Sequence, residues 1–146
     1  MELQVVADWL DEHGKMPTVA AMFREVSERE PRPFPTGSRV YGTPRPDSDY
    51  DVVVLFKDGE LAYLAERIKE RGVSANRKNL SLRIDAWNLV CFTLPLEYEA
   101  WRLATEELEK RKPVTKDEAI AAIAAECARL KVPGHGVEAE ESLATY

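Results

Sequence analysis

An α+β fold, a small mixed β-sheet backed by helices in α/β layers, is what the patterning of this chain predicts, and three observations carry that prediction. The run Val52-Val53-Val54-Leu55-Phe56 is apolar and rich in β-branched residues, as a buried strand requires. Apolar residues recur at helical spacing on both sides of it, as Leu3, Val6, Trp9 and Leu10 before it and Leu61, Leu64, Ala65 and Ile68 after it. A second long strand-like stretch, Asn79 to Thr93, then follows. A strand followed by a helix that packs back on it begins an α/β or α+β layer.

At 146 residues the chain is most economically one domain, 1–146. It divides into N-terminal helices (1–30), a sheet core (34–93), C-terminal helices (94–132) and a flexible acidic tail (133–146). The composition, 45% hydrophobic and 32% charged, is that of a globular chain. The longest unbroken apolar run, Ala119 to Ala125, is far below the ~18 residues a membrane span needs. The start Met1-Glu2-Leu3 has neither a basic region nor a cleavage site, so the expected location is cytoplasmic. Cys91 and Cys127 fall in a strand and on a helix face without zinc spacing, which fits two reduced core thiols. A net charge of −6 argues against nonspecific duplex DNA binding, which depends on neutralising phosphates. Arg67, Lys69, Arg71, Arg77, Lys78 and Arg83 nevertheless cluster against Glu66 and Glu70. That cluster is either a solvated face or a patch for an anionic ligand.

Taken in order, the first helix closes at His13-Gly14, and the second begins near Pro17-Thr18 and turns Val19, Met22, Phe23 and Val26 inward. Pro31, Pro33 and Pro35 make Glu30 to Pro35 a stiff linker, and any strand there begins late or lies at an edge because each proline lacks an N–H. The strand from Asp49 to Phe56 is followed by a helix with Asp58 as N-cap and Gly72 as its end. Asn79 to Thr93 is one bent strand or two pieces. A helix from Thr93-Pro95 turns Tyr98, Trp101, Thr105 and Leu108 inward and stops at Pro113. Thr115-Lys116-Asp117-Glu118 reads as a capping box for a last helix carrying Ile120, Ile123, Cys127 and Leu130 on one face.

Chemistry concentrates between Gly37 and Phe56. Gly37-Ser38 is a corner where backbone amides and a hydroxyl can approach a phosphate. Asp49 and Asp51 flank Tyr50 and run into the buried strand. Residues two apart on a strand share a face, ~6.5–7 Å apart at Cα. Two carboxylates so placed repel unless a cation lies between them, and all-oxygen ligation suits Mg²⁺, with Mn²⁺ as a substitute. An EF-hand is excluded because Val52 and Asp58 stand where that loop needs Gly and Glu. A Walker P-loop is excluded because no Gly-Lys-Ser/Thr follows Gly42.

Gly37-Ser38, ten intervening residues, then Asp49-Tyr50-Asp51-Val52, with Arg39, Gly42 and Arg45 between, resembles the signature of the nucleotidyltransferase superfamily that includes DNA polymerase beta and small stand-alone enzymes. Asn88-Leu89-Val90, Trp101 and Ala104-Thr105 are also similar to small nucleotidyltransferase-like proteins of phage type. The resemblance implies a palm-like core and transfer of a nucleoside monophosphate from an NTP to an acceptor, an RNA end, a protein or a small molecule. It implies metal ligation by Asp49 and Asp51 and nucleotide binding by Gly37, Ser38, Arg39 and Arg45. It also implies a third acid on a later strand. Asp85, between Ile84 and Ala86, is the choice for that catalytic and metal-binding position. Asn88, framed by Trp87 and Leu89, is the alternative, and on a regular strand only one of the two can face Asp49 and Asp51. A second functional class is a non-catalytic member that binds nucleotide or a protein partner, as an antitoxin-like subunit would.

Overall fold

The computed structural model describes residues 2–71, 75–76 and 81–132. Two helices, α1 (Glu2–Glu12) and α2 (Pro17–Ser27), precede a short strand β1 (Phe34–Thr36) and a single helical turn α3 (Ser38–Tyr41). Then come β2 (Tyr50–Leu55), α4 (Asp58–Arg71), β3 (Ala75–Asn76), β4 (Ser81–Ile84), β5 (Trp87–Phe92), α5 (Pro95–Lys110) and α6 (Lys116–Arg129). The five strands lie in the order β1-β2-β5-β4-β3. β2 and β5 are parallel, and the other pairings are antiparallel. The sheet is therefore mixed, as the α+β expectation requires.

Alternation along the strands sends side chains to two separate cores. Val52, Val54, Leu89 and Cys91 pack with Leu3, Leu10, Phe23, Val26, Leu61 and Leu64, so α1, α2 and α4 cover one face. Val53, Val90 and Phe92 pack with Tyr41, Trp101, Leu108, Ile123 and Cys127, so α3, α5 and α6 cover the other. Cys91 and Cys127 are buried and form no disulfide. Phe23 and Trp101 are core residues, and Tyr98, Thr105 and Leu108 face inward as the α5 pattern demands.

β1 is a three-residue edge strand paired only to β2, as the three prolines before and within it dictate. The Thr115 capping box forms in full: Thr115 Oγ1 accepts from the Glu118 N–H at 3.2 Å, and Thr115 N–H donates to Glu118 Oε1 at 3.0 Å. Asn79 and Leu80 lie outside the described residues, and from Ser81 to Thr93 the stretch divides in two, since β4 and β5 form an antiparallel hairpin around Asp85-Ala86. One cap expectation changes. Asp58 is the first residue of α4, not its N-cap, because the Lys57 carbonyl already accepts from Leu61 N–H at 3.0 Å. Glu60 reaches back to cap the Lys57 N–H at 2.9 Å. Gly72, Arg77, Lys78 and the tail lie outside the described residues. Among the described residues no helix is long and apolar enough to cross a membrane.

Candidate active site

The register of four strands sets one polar row across the end of the sheet. Thr36 on β1 lies opposite Asp51 on β2, Asp51 opposite Asn88 on β5, and Asn88 opposite Arg83 on β4. Asp49, one residue before β2, shares the Asp51 phase. Asp51 alternates with Val53, and Asn88 with Val90, so the row begins the face that α5 and α6 cover further along. Thr36 anchors it to α5 through a buried 2.8 Å hydrogen bond between its hydroxyl and that of Thr105.

Both carboxylates are buried, and each is held by one oxygen. Arg83 Nη2 donates to Asp49 Oδ1 at 2.5 Å, and Asn88 Nδ2 donates to Asp51 Oδ1 at 2.9 Å. Asn88 Oδ1 in turn accepts from Ser81 Oγ at 2.6 Å, and an ionised Asp51, which can only accept, sets the amide nitrogen towards its carboxylate. Asp49 Oδ2 is buried and has no partner. Asp51 Oδ2 faces Gly37, whose backbone (φ 83°, ψ −167°) lies in a region open almost solely to glycine. A Cβ there would stand 2.1 Å from that oxygen. Ser38, at the same corner, is 2% exposed, and its hydroxyl is buried without a partner. Buried polar atoms are normally satisfied, so the orphaned Ser38 and Asp49 oxygens, with the Asp51 carboxylate pressed against Gly37, leave polar capacity in this region unused.

Burial pushes the Asp51 carboxyl up to about 7, and the Asp49 charge adds to the effect, while the Asn88 hydrogen bond and Arg83 oppose it. Near neutral pH this carboxyl is therefore divided between its protonated and its ionised form.

The family model of the nucleotidyltransferase domain matches residues 24–121, which include every side chain of this row. The chain belongs to the nucleotidyltransferase domain family. No curated protein and no solved structure matches it.

Within this nucleotidyltransferase domain, the structure brings Gly37, Ser38, Asp49 and Asp51 together and separates Asp85 from them. Asp85 is exposed in the β4–β5 turn at φ 51°, a conformation that Asp tolerates in turns and a strand interior does not use. The charges acting on Asp51 come from Asp49 and Arg83, not from Asp85. The expected strand position for Asp85 is thus corrected: the strand-to-turn break falls at that residue, and Asn88 is the one beside Asp51. Arg83, two residues earlier, is paired with Asp49. Among the described residues no group of three His, Cys, Asp or Glu side chains is placed to hold a metal.

The two arginines of the motif also part company. Arg39 Nε and Nη2 donate to the Ser48 carbonyl at 3.0 and 2.7 Å, and Nη2 also donates to the Pro46 carbonyl at 3.1 Å. Its guanidinium lies 4.1 Å from the centroid of Tyr50. Arg39 therefore braces the Pro44–Ser48 loop that delivers Asp49. Ser48 Oγ, accepting from the Arg45 N–H at 2.8 Å, completes that brace. The Arg45 side chain is exposed. Sequence reasoning placed Arg83 in the basic cluster that begins at Arg67, and it missed Thr36 and Ser81. The available signal was a cation between Leu82 and Ile84, which strand alternation sets on the face opposite those two apolar residues.

Proposed function

We propose that this domain transfers a nucleoside monophosphate from an NTP to an acceptor, using a divalent cation, Mg²⁺ or Mn²⁺, held by Asp49 and Asp51. The observation that carries this reading is the pair of buried carboxylates with an orphaned Asp49 oxygen and with Gly37 packed against Asp51. That donor set is all oxygen, compact and anionic, as Mg²⁺ prefers. A cation bound there supplies Lewis-acid stabilisation of charge on the α-phosphate and the oxygens in line with it. The chain's own residues do the rest. Gly37 leaves space for a phosphate to approach the backbone, and Ser38 Oγ, which lacks a partner, donates to it. Arg45, which is exposed, neutralises charge on the departing pyrophosphate. Arg39 holds the loop, and Thr36 holds β1 against α5.

The test is incubation with each of four α-labelled NTPs and Mg²⁺, with RNA ends, proteins and small hydroxyl compounds as acceptors, alone and with cell extract. Label should move to one acceptor class with wild-type protein and not with Asp49→Asn or Asp51→Asn. A non-catalytic, partner-binding role in the cytoplasm, as of an antitoxin-like subunit, is favoured by one observation, the amide of Asn88 where a third acid was expected. Nucleotide binding without transfer to any acceptor would select it.

A further inference from the structure

We propose that this site takes one divalent cation per chain, and that the Arg83 guanidinium supplies the positive charge a second cation would bring. The proposal rests on the metal-dependent reading above and concerns how many ions that site accepts.

Three features of the row point the same way. The first is charge. Asp49 and Asp51 contribute two negative charges, Asn88 none, and Arg83 one positive charge already paired to Asp49. Two divalent ions sharing a site lie ~3.5–4 Å apart and repel each other strongly, so they need anionic ligands between and around them. A cluster whose own charge is one negative matches one such ion plus a polyphosphate. It does not match two.

The second feature is the supply of oxygens. Asp49 Oδ1 is engaged by Arg83 and Asp51 Oδ1 by Asn88 Nδ2. What remains is one Oδ2 on each carboxylate, the first buried without a partner and the second against Gly37. Two carboxylate oxygens suffice for a single ion that draws its other ligands from phosphates and water.

The third is the orientation of the amide. Asn88 Nδ2 donates to Asp51 Oδ1 while the amide oxygen accepts from Ser81 Oγ, so the face that Asn88 presents to Asp51 is an N–H donor, which repels a cation. A flipped amide would set its oxygen against the oxygen of an ionised Asp51. Arg83 is directly opposite Asn88 in the β4–β5 register, so amide and guanidinium form one unit on adjacent strands. Together they replace an acid and the ion it would bind with a neutral donor and a fixed cation. Arg83 is thus a positioning residue for Asp49, turning Oδ2 of that carboxylate towards the ion.

The experiment counts Mn²⁺ bound to the full chain by equilibrium dialysis with a non-hydrolysable NTP analogue, and reads the same samples by electron paramagnetic resonance. One Mn²⁺ per chain with the spectrum of an isolated ion is expected. Two ions, or the spectrum of an exchange-coupled pair, would overturn this proposal while leaving the metal-dependent reading intact. No protein-bound Mn²⁺ would overturn both. The double variant Arg83→Met/Asn88→Asp should bind two ions, with its fold checked by circular dichroism. A folded double variant that still binds one shows that Arg83 and Asn88 do not exclude the second ion, and the proposal falls. Should the double variant not fold, the wild-type count alone decides.

Discussion

The two faces of this sheet are made from the same strands, residue by alternate residue, yet they differ in kind. On the face covered by α1, α2 and α4, β2 contributes Val52 and Val54 and β5 contributes Leu89 and Cys91, all buried in one apolar cluster. The opposite face begins with Asp51 and Asn88 and becomes apolar only one step further along, at Val53 and Val90. The first face is closed by packing alone. The second is left with orphaned oxygens at its end and closed by packing beyond it. Stability and chemistry are thus separated by the two-residue period of a strand, and substitutions on the two faces should separate them as well.

The largest expected effect lies on the packed face. Phe23 is fully buried against Phe56, with ring centroids 6.2 Å apart. Phe23→Ala should cost ~3–5 kcal/mol of stability through lost burial and a residual cavity. Chemical denaturation measures this, and the Mn²⁺ affinity of the molecules that remain folded should be unchanged. A parallel loss of affinity would show that the two faces are not independent.

Next is Asp51→Asn, with the opposite sign. The carboxyl is raised from 3.8 to about 7 in the folded state. The native protein therefore holds a proton that the unfolded chain has released between these values. In the absence of metal, stability from this group is fully present below pH ~4 and is lost as pH rises to ~7, by up to ~4 kcal/mol at ~1.36 kcal/mol per pH unit. Asp51→Asn should remove that slope and melt higher than wild type at pH 8, with no advantage near pH 4. Saturating Mn²⁺ with NTP should restore wild-type stability at pH 8 and do nothing for the variant. A variant less stable than wild type at pH 8 would reverse the assignment of cause.

Gly37→Ala follows, with a cost of ~1–3 kcal/mol for a side chain at φ 83° and a Cβ 2.1 Å from Asp51 Oδ2. Nucleotide-dependent metal binding should be lost together with that stability. Retention of metal binding would mean that the Asp51 oxygen can move away without consequence.

The fold was largely legible because its signals are local. The apolar periods of α1, α2 and α5, the Thr115 capping box and the prolines that shorten β1 each act within a few residues. The site was legible where its residues are adjacent in sequence, as Gly37-Ser38 and Asp49-Tyr50-Asp51 are. It was not legible where strand register decides. Asp85 and Asn88 both sit in apolar frames, and only the placement of the β4–β5 turn makes one a loop residue and the other the neighbour of Asp51. Register also pairs Arg83 with Asp49 across 34 residues of sequence, a contact that no spacing rule encodes. The single turn α3 was missed because Ser38–Tyr41 is too short to show a period.

The smallest expected effect on stability belongs to Ser38→Ala, and for that reason it probes the second face most cleanly. The Ser38 hydroxyl is buried and makes no hydrogen bond, so the folded protein carries its desolvation without return. Removing it leaves no partner unsatisfied, and alanine fits where serine did. Stability should stay within ~0.5 kcal/mol of wild type or rise slightly, as expected of a substitution that breaks no bond. If the hydroxyl instead serves a phosphate, NTP affinity should fall by ~1–3 kcal/mol, the range for a hydrogen bond to a charged group. Melting temperature and NTP titration on the one variant thus read the two roles separately. A loss of stability with unchanged NTP affinity would make Ser38 part of the packing that joins α3 to the sheet, and the phosphate would have to lie elsewhere.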